Sequence, residues 1–249
     1  MPIKALLFFF LLFTGCAKKT YLADVTSRNY RIEKGSYTND EEVSDIIAPY
    51  KEKLDKVMNE VIGYNTQEMT KGKPNSPLTN WFADAMLEEV NAQKGLNADF
   101  AIQNYGGVRV NSMAKGDITI RTIYELMPFD NSVYILTMKG DVVQKLFDKI
   151  ANSEGWPISK SVQFTMEFGK AVKIKINGKS LEPDAEYKAV IPDYVANGGD
   201  NTSFLNECQK FPTQLLVRDL LINYVKRKTS LGQEISADLT PRILEAGNE

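Results

Sequence analysis

Between Ala151 and Val162 the apolar residues change from spacings of three and four to every second position, and this switch narrows the folds open to the chain. Four stretches before it have helical spacing. Asp40, Glu41 and Glu42 lead a run with Val43, Ile46, Ile47, Tyr50, Leu54, Val57, Met58 and Val61 on one face, and acids suit the positive end of a helix dipole. A second helix begins near Thr79-Asn80, either residue a candidate cap, turns Phe82, Met86, Leu87 and Val90 inward and ends before Gly95. Arg121 to Met127 stops at Pro128, and Asp141 to Ala151 follows Gly140.

The extended segments are equally plain. Ala98 to Gln103 and Val133 to Met138 read as strands among the helices. Past the switch, Val162 to Met166 and Val172 to Ile176 alternate on either side of Gly169-Lys170, and an Asn177-Gly178 turn follows. Tyr187 to Ile191 is a further strand, and Thr213 to Lys228 closes as a helix carrying Leu215, Leu216, Leu220, Ile222 and Val225. Helices mixed with hairpins predict an α+β body of mixed α/β layers, with mixed sheets flanked by helices rather than one parallel sheet.

The N-terminus reads as an export signal. Met1 to Lys4 precede the apolar run Ala5 to Phe13 and then Thr14-Gly15-Cys16, a layout too short to span a bilayer. Small residues before a cysteine resemble a bacterial lipobox, in which Cys16 carries lipid after cleavage; an ordinary signal peptide with a chance cysteine is the other reading. The expected organisation is a lipoprotein signal over 1–15, a lipid-proximal spacer over 16–39 and one domain over 40–249. The expected location is a bacterial membrane surface facing the periplasm.

With Cys16 lipidated, Cys208 is the sole remaining thiol, so stability has to come from a packed core. Cys208 itself is expected to be a buried small apolar residue. The 43% hydrophobic composition supplies such a core. With 30 basic against 32 acidic residues there is no basic field for phosphates along a strand, which argues against nucleic acid as a partner.

Two polar loops hinged on glycines are the candidates for chemistry. In Asn104-Tyr105-Gly106-Gly107-Val108-Arg109 the glycines allow close backbone approach, Asn104 both donates and accepts, and Arg109 offers a fork of donors suited to carboxylate or phosphate. In Tyr194-Val195-Ala196-Asn197-Gly198-Gly199-Asp200 a flat group stacks on the ring while the acid accepts from a diol or amine. Each loop also reads as a plain surface turn, with Arg109 in an ion pair. Phe129, at the breaker Pro128 and before Asp130-Asn131, is either core or ligand-facing.

Taken together, the Asn104 to Arg109 loop, Pro128-Phe129-Asp130-Asn131 about twenty residues on, and the Tyr194 to Asp200 loop resemble in order and spacing the C-terminal domain of the 5'-nucleotidase and UDP-sugar hydrolase family. The likeness runs from about Asp40 to Ile243. It implies substrate recognition: Phe129 and Tyr194 clamping a base, Asn131 bonding it, Asp200 on the ribose hydroxyls, and Asn104 with Arg109 toward phosphate. Gly106, Gly107, Asn197, Gly198 and Gly199 complete the implied set. Lys71, Gly72, Lys73 and Pro74 stand where relatives often carry arginines, and Ser159-Lys160-Ser161-Val162 lacks an expected glycine.

The family's other half is a two-metal phosphatase domain that relies on aspartates and histidines. This chain contains no histidine, and only a couple of dozen residues separate Cys16 from the first helix, so that domain is expected to be missing. Nor does the chain carry a Gly-x-Ser-x-Gly elbow, a phosphate-binding Gly-Lys loop or a D-x-D pair. The expectation is therefore a nucleotide- or nucleoside-recognition chain with no cofactor and no catalytic residue of its own. Divalent metals are expected only on a separate metallophosphatase chain with which it acts in nucleotide breakdown. The alternative is a lipoprotein that binds nucleotides for scavenging or sensing.

Overall fold

The computed structural model describes residues 25–31, 40–93 and 95–247. Cys16 and the signal over 1–15 lie outside them, as does most of the spacer; its described part, 25–31, has neither helix nor strand. Contacts divide the chain into a unit up to residue 47 and a unit from Ala48 onward.

That helix, α1 (Glu41–Met58), begins where Asp40 accepts hydrogen bonds from the Glu42 and Val43 backbone N–H groups, 3.0 and 3.2 Å. Its apolar residues Val43, Ile46, Ile47, Tyr50, Leu54 and Val57 are exposed. Val61, expected on the same helix, instead opens β1 (Val61–Asn65), which is followed by β2 (Met69–Thr70). Helix α2 (Pro77–Ala92) starts three residues earlier than Thr79-Asn80 suggests. Ser76 is its cap, accepting from Thr79 N while the Thr79 hydroxyl accepts from Ser76 N, and Pro77 occupies a position where a missing N–H is harmless.

The chain continues through β3 (Phe100–Ala101), β4 (Ser112–Met113), β5 (Gly116–Thr119), α3 (Ile120–Leu126), β6 (Ser132–Lys139) and α4 (Gly140–Asn152). Then come β7 (Val162–Glu167), β8 (Lys170–Ile176), β9 (Lys179–Ser180), β10 (Glu186–Pro192), the single turn α5 (Asp193–Ala196), β11 (Gln209–Leu216), α6 (Val217–Ser230) and β12 (Ile243–Glu245). Thr213 to Leu216, expected at the start of the last helix, belong to β11. This strand lies at the sheet edge, where Pro212 is tolerated because no partner requires its N–H, and Gln214 at φ +61° marks an irregular register.

The central sheet has the order β11-β6-β10-β3, antiparallel except for the parallel pair β10 and β3. Its residues alternate between two apolar layers, as the period of two requires. Ala101, Val133, Ile135 and Val190 face one layer with α2, α3 and α6. Phe100, Ile102, Leu136, Met138, Ala189 and Ile191 face the other, with α4 and the β7–β8 hairpin. A sheet covered on both sides explains why β10 reads as a continuous apolar run.

Aromatic contacts fasten the second layer. Phe147 on α4 lies 5.3 Å from Phe100 of the central sheet and 5.5 Å from Phe164 of β7, centroid to centroid. The second sheet, β12-β7-β8-β9, closes with β12 parallel to β7. Just before β12, buried Arg242 donates to the carbonyls of Asn80 and Ile158 and to the Asp84 carboxylate, tying the tail to α2. Cys208 is half-buried against the second layer, and burial raises its thiol pKa.

Candidate functional site

Three loops meet at one end of the central sheet because of strand direction. β3 and β10 run parallel and finish there, β6 runs against β10 and begins there, and Pro192 pairs with Val133. β3 leads into Asn104 to Arg109, β10 into α5 and Tyr194, and β6 is preceded by Phe129 to Asn131. Ligands favour the carboxyl ends of strands for this reason: neighbouring loops splay from them and leave a crevice.

The crevice here is a cavity of about 640 Å³ lined by Asn104, Gly106, Gly107, Arg109, Phe129, Asp130, Asn131, Tyr194 and Asp200. Eight residues singled out from sequence thus share one cavity. Phe129 and Tyr194 are 40% and 47% exposed, unlike the buried aromatic residues of the core.

Asn197, Gly198 and Gly199 do not line it. They shape the loop beside it. Asn197 accepts from Lys210 Nζ at 3.1 Å, and Gly198 sits at φ +95°, where a side chain is strained. Gly199 packs under the Tyr194 ring so closely that a Cβ would stand 2.6 Å from Cε1 and Cζ.

Hydrogen bonds set the polar groups in advance. Asp200, at φ +52°, accepts from Asn104 Nδ2 at 2.7 Å and from Tyr194 Oη at 3.1 Å, which joins the two glycine loops. Asn131 Nδ2 donates to Asp193 Oδ1 at 2.8 Å, and the same oxygen accepts from Tyr194 N at 2.7 Å. The Arg109 guanidinium lies 5.2 Å from the Phe129 ring centroid and donates to Gly106 O at 3.3 Å. Gly107 leaves the room that the buried Gln103 carboxamide occupies, since a Cβ there would fall 1.9 Å from Gln103 Nε2.

Lys71 and Lys73 stand outside the lining, around the Tyr105 ring at 4.0 and 4.9 Å. Lys71 donates to Val108 O at 2.7 Å; burial first, then Arg109 and Lys73, lower its pKa. Lys73 donates to Ser153 O at 2.6 Å. Ser159, in the segment without the expected glycine, is buried and accepts from Ala101 N at 2.9 Å, bracing the end of β3.

Sequence reasoning missed Asp130 as a lining residue, although it sits inside the quoted Pro128 to Asn131 run. It also missed Asp193, which precedes Tyr194, and Arg218, which holds Asp130 at 2.6 Å. No sequence signal marks Arg218, because its partner lies 88 residues away.

Two aromatic side chains, a guanidinium, two carboxamides and two carboxylates surround one cavity, a set of groups chemically suited to a flat, polar small molecule. Residues 56–207 match the family described as 5'-nucleotidase, C-terminal domain, and the chain belongs to that family. The match is shorter than the span from Asp40 to Ile243 that the sequence resemblance suggested.

A 5'-nucleotidase of Vibrio cholerae serotype O1 is 36% identical over 107 residues, 41% of this chain and 19% of that protein. The trifunctional nucleotide phosphoesterase protein YfkN of Bacillus subtilis is 27% identical over 217 residues, 79% of this chain and 14% of its own length. The crystal structure of a 5'-nucleotidase precursor from Thermus thermophilus superposes with a TM-score of 0.72 at 21% identity, over 84% of this chain and 44% of that one. The chain therefore spans less than half of each of these proteins.

Proposed function

We propose that the cavity binds a nucleotide or nucleoside, with the base between Phe129 and Tyr194, Asn131 toward the base, Asp200 toward the ribose hydroxyls, and Asn104 with Arg109 toward phosphate. The observation that carries this is the convergence of both exposed rings with Arg109, Asn104, Asn131 and Asp200 on one cavity of about 640 Å³. Stacking on aromatic side chains contributes roughly 1–3 kcal/mol per base. Membership of a family named for 5'-nucleotidases supports a nucleotide-related role.

In this proposal the chain supplies recognition, and a separate metallophosphatase supplies divalent metals and hydrolysis. Lipid on Cys16 would hold the chain at the periplasmic face of a membrane. Calorimetry with AMP and adenosine tests the binding step: Phe129→Ala and Tyr194→Ala should each weaken affinity roughly 5- to 150-fold. Unchanged affinity in both would reject the clamp. For the partnership, AMP hydrolysis with Mn²⁺ is measured for this chain, a purified metallophosphatase and their mixture; no gain on mixing, with no association, ends it.

A further inference from the structure

We infer that Arg218 is a positioning residue for this cavity: its buried guanidinium fixes the turn that carries Phe129 and neutralises Asp130, so that an anionic ligand meets Arg109 rather than an unmasked carboxylate. The inference rests on the nucleotide-recognition proposal for what the cavity holds, and on geometry for what Arg218 does.

The route starts in the sheet. Leu216 at the end of β11 pairs with Ser132 at the start of β6, so the first turn of α6 lies beside Phe129 to Asn131. Val217 N donates to Asn131 O at 2.9 Å. One residue on, Arg218 Nη2 donates to Asp130 Oδ1 at 2.6 Å and Nη1 to Phe129 O at 3.4 Å, while its guanidinium lies 4.2 Å from the Tyr124 ring centroid. The turn is thereby held from α6 at three successive residues, and from α5 through Asp193 and Asn131.

The placement is costly for folding alone. The Arg218 side chain is 9% exposed, its Nε has no hydrogen-bond partner among the described residues, and it stands in the first turn of a helix, where a cation opposes the dipole. An apolar side chain against Tyr124 would avoid these costs, since burying a charged group is expensive unless all of its polar atoms are paired. What an apolar residue lacks is the two-pronged hold on Phe129 O and Asp130. Asp130 is 79% exposed and lines the cavity, so releasing it adds negative charge where a phosphate would approach.

The test compares wild-type, Arg218→Met, Arg218→Lys and the double variant Arg218→Met/Asp130→Asn in the full chain. AMP and adenosine affinities are measured, and 4-fluorophenylalanine at position 129 reports the ring by ¹⁹F NMR without ligand. Arg218→Met should weaken AMP more than adenosine, by an extra factor on the order of five, and Asp130→Asn should restore that extra factor. The fluorine line should shift or broaden in Arg218→Met and in Arg218→Lys, which keeps the charge but loses the fork. Equal losses for both ligands without rescue, beside an unmoved fluorine line, would overturn the inference.

Two contingencies stay decisive. If wild-type protein binds neither ligand, the nucleotide proposal falls, and an unmoved fluorine line in Arg218→Lys then overturns the positioning role by itself. If Arg218→Met does not fold, Asp130→Ala at its exposed position releases one prong; a moved fluorine line supports the inference and an unmoved one counts against it.

Discussion

Replacing Gly199 by alanine tests whether the second glycine loop is built around the Tyr194 ring. The new methyl carbon would stand 2.6 Å from Tyr194 Cε1 and Cζ and from its backbone oxygen, about 1 Å inside normal carbon contact. The ring can swing, but the oxygen belongs to α5 and gives way only if that turn moves. Gly199 has no left-handed φ, so the cost comes from contact alone.

Overpacking of this kind costs about 1–3 kcal/mol, which in a chain of this size lowers Tm by roughly 2–12 °C. Swinging the ring instead breaks the Tyr194 Oη to Asp200 hydrogen bond and turns one face of the proposed clamp away. AMP affinity should then fall by up to the stacking contribution, about 1–3 kcal/mol. Thermal unfolding followed by circular dichroism, with calorimetry on the same samples, reads both effects. Gly106→Ala is the stability control, because its Cβ would meet nothing nearer than Asn104 Nδ2 at 3.8 Å and should cost less than about 0.5 kcal/mol. A Gly199→Ala variant that melts with the control and binds like wild type would refute the packing argument.

Two further outcomes follow from buried charge. Burial, reinforced by Glu88, Asp84 and Glu89, raises the Tyr224 pKa well above its ordinary 10, so the folded state keeps a proton that the unfolded state releases. The stability this provides is present in full below pH 10 and is lost as pH rises from there toward the folded-state pKa; Tyr224→Phe should flatten the alkaline fall in urea midpoint between pH 8 and pH 11, and parallel curves would contradict the assignment. Arg242→Met should cost about 3–5 kcal/mol at neutral pH by stranding Asp84 and two carbonyls. Burial already raises the Asp84 pKa, and losing Arg242 raises it further, so the penalty should shrink as acid protonates Asp84; a penalty independent of pH would exclude that cause.

Periodic segments were legible in the sequence wherever burial was one-sided or complete. The β7–β8 hairpin, β6, β10 and α4 follow their apolar spacing closely. β11 escaped because an edge strand with Pro212 and no buried residue has no pattern to read. β1 escaped because Val61 continues the spacing of α1, and only pairing with β5 ends the helix. The cap of α2 was readable in principle, since Ser76-Pro77-Leu78-Thr79 places a hydroxyl before a proline with a second hydroxyl three residues on. In the site, residue type alone flagged both glycine loops. Arg218 could not be flagged, because its meaning arises only when the register of β11 on β6 sets α6 beside Phe129.

Register is also what gives the cavity its definition. Asn104, Phe129, Tyr194 and Asp200 come from segments up to 96 residues apart, and hydrogen bonds between side chains join only some of them. Pro192 opposite Val133 and Val190 opposite Ile135 fix how far the Tyr194 turn stands from the Phe129 turn. A slip of β6 by one residue would exchange Val133 and Ile135 for Tyr134 and Leu136 against the α2, α3 and α6 layer, turning every side chain of the strand to the wrong face. Because both faces of the central sheet are packed, that slip is penalised in two layers at once. The spacing of the two rings is therefore maintained by the apolar alternation of β6 and β10, at residues that never touch the cavity.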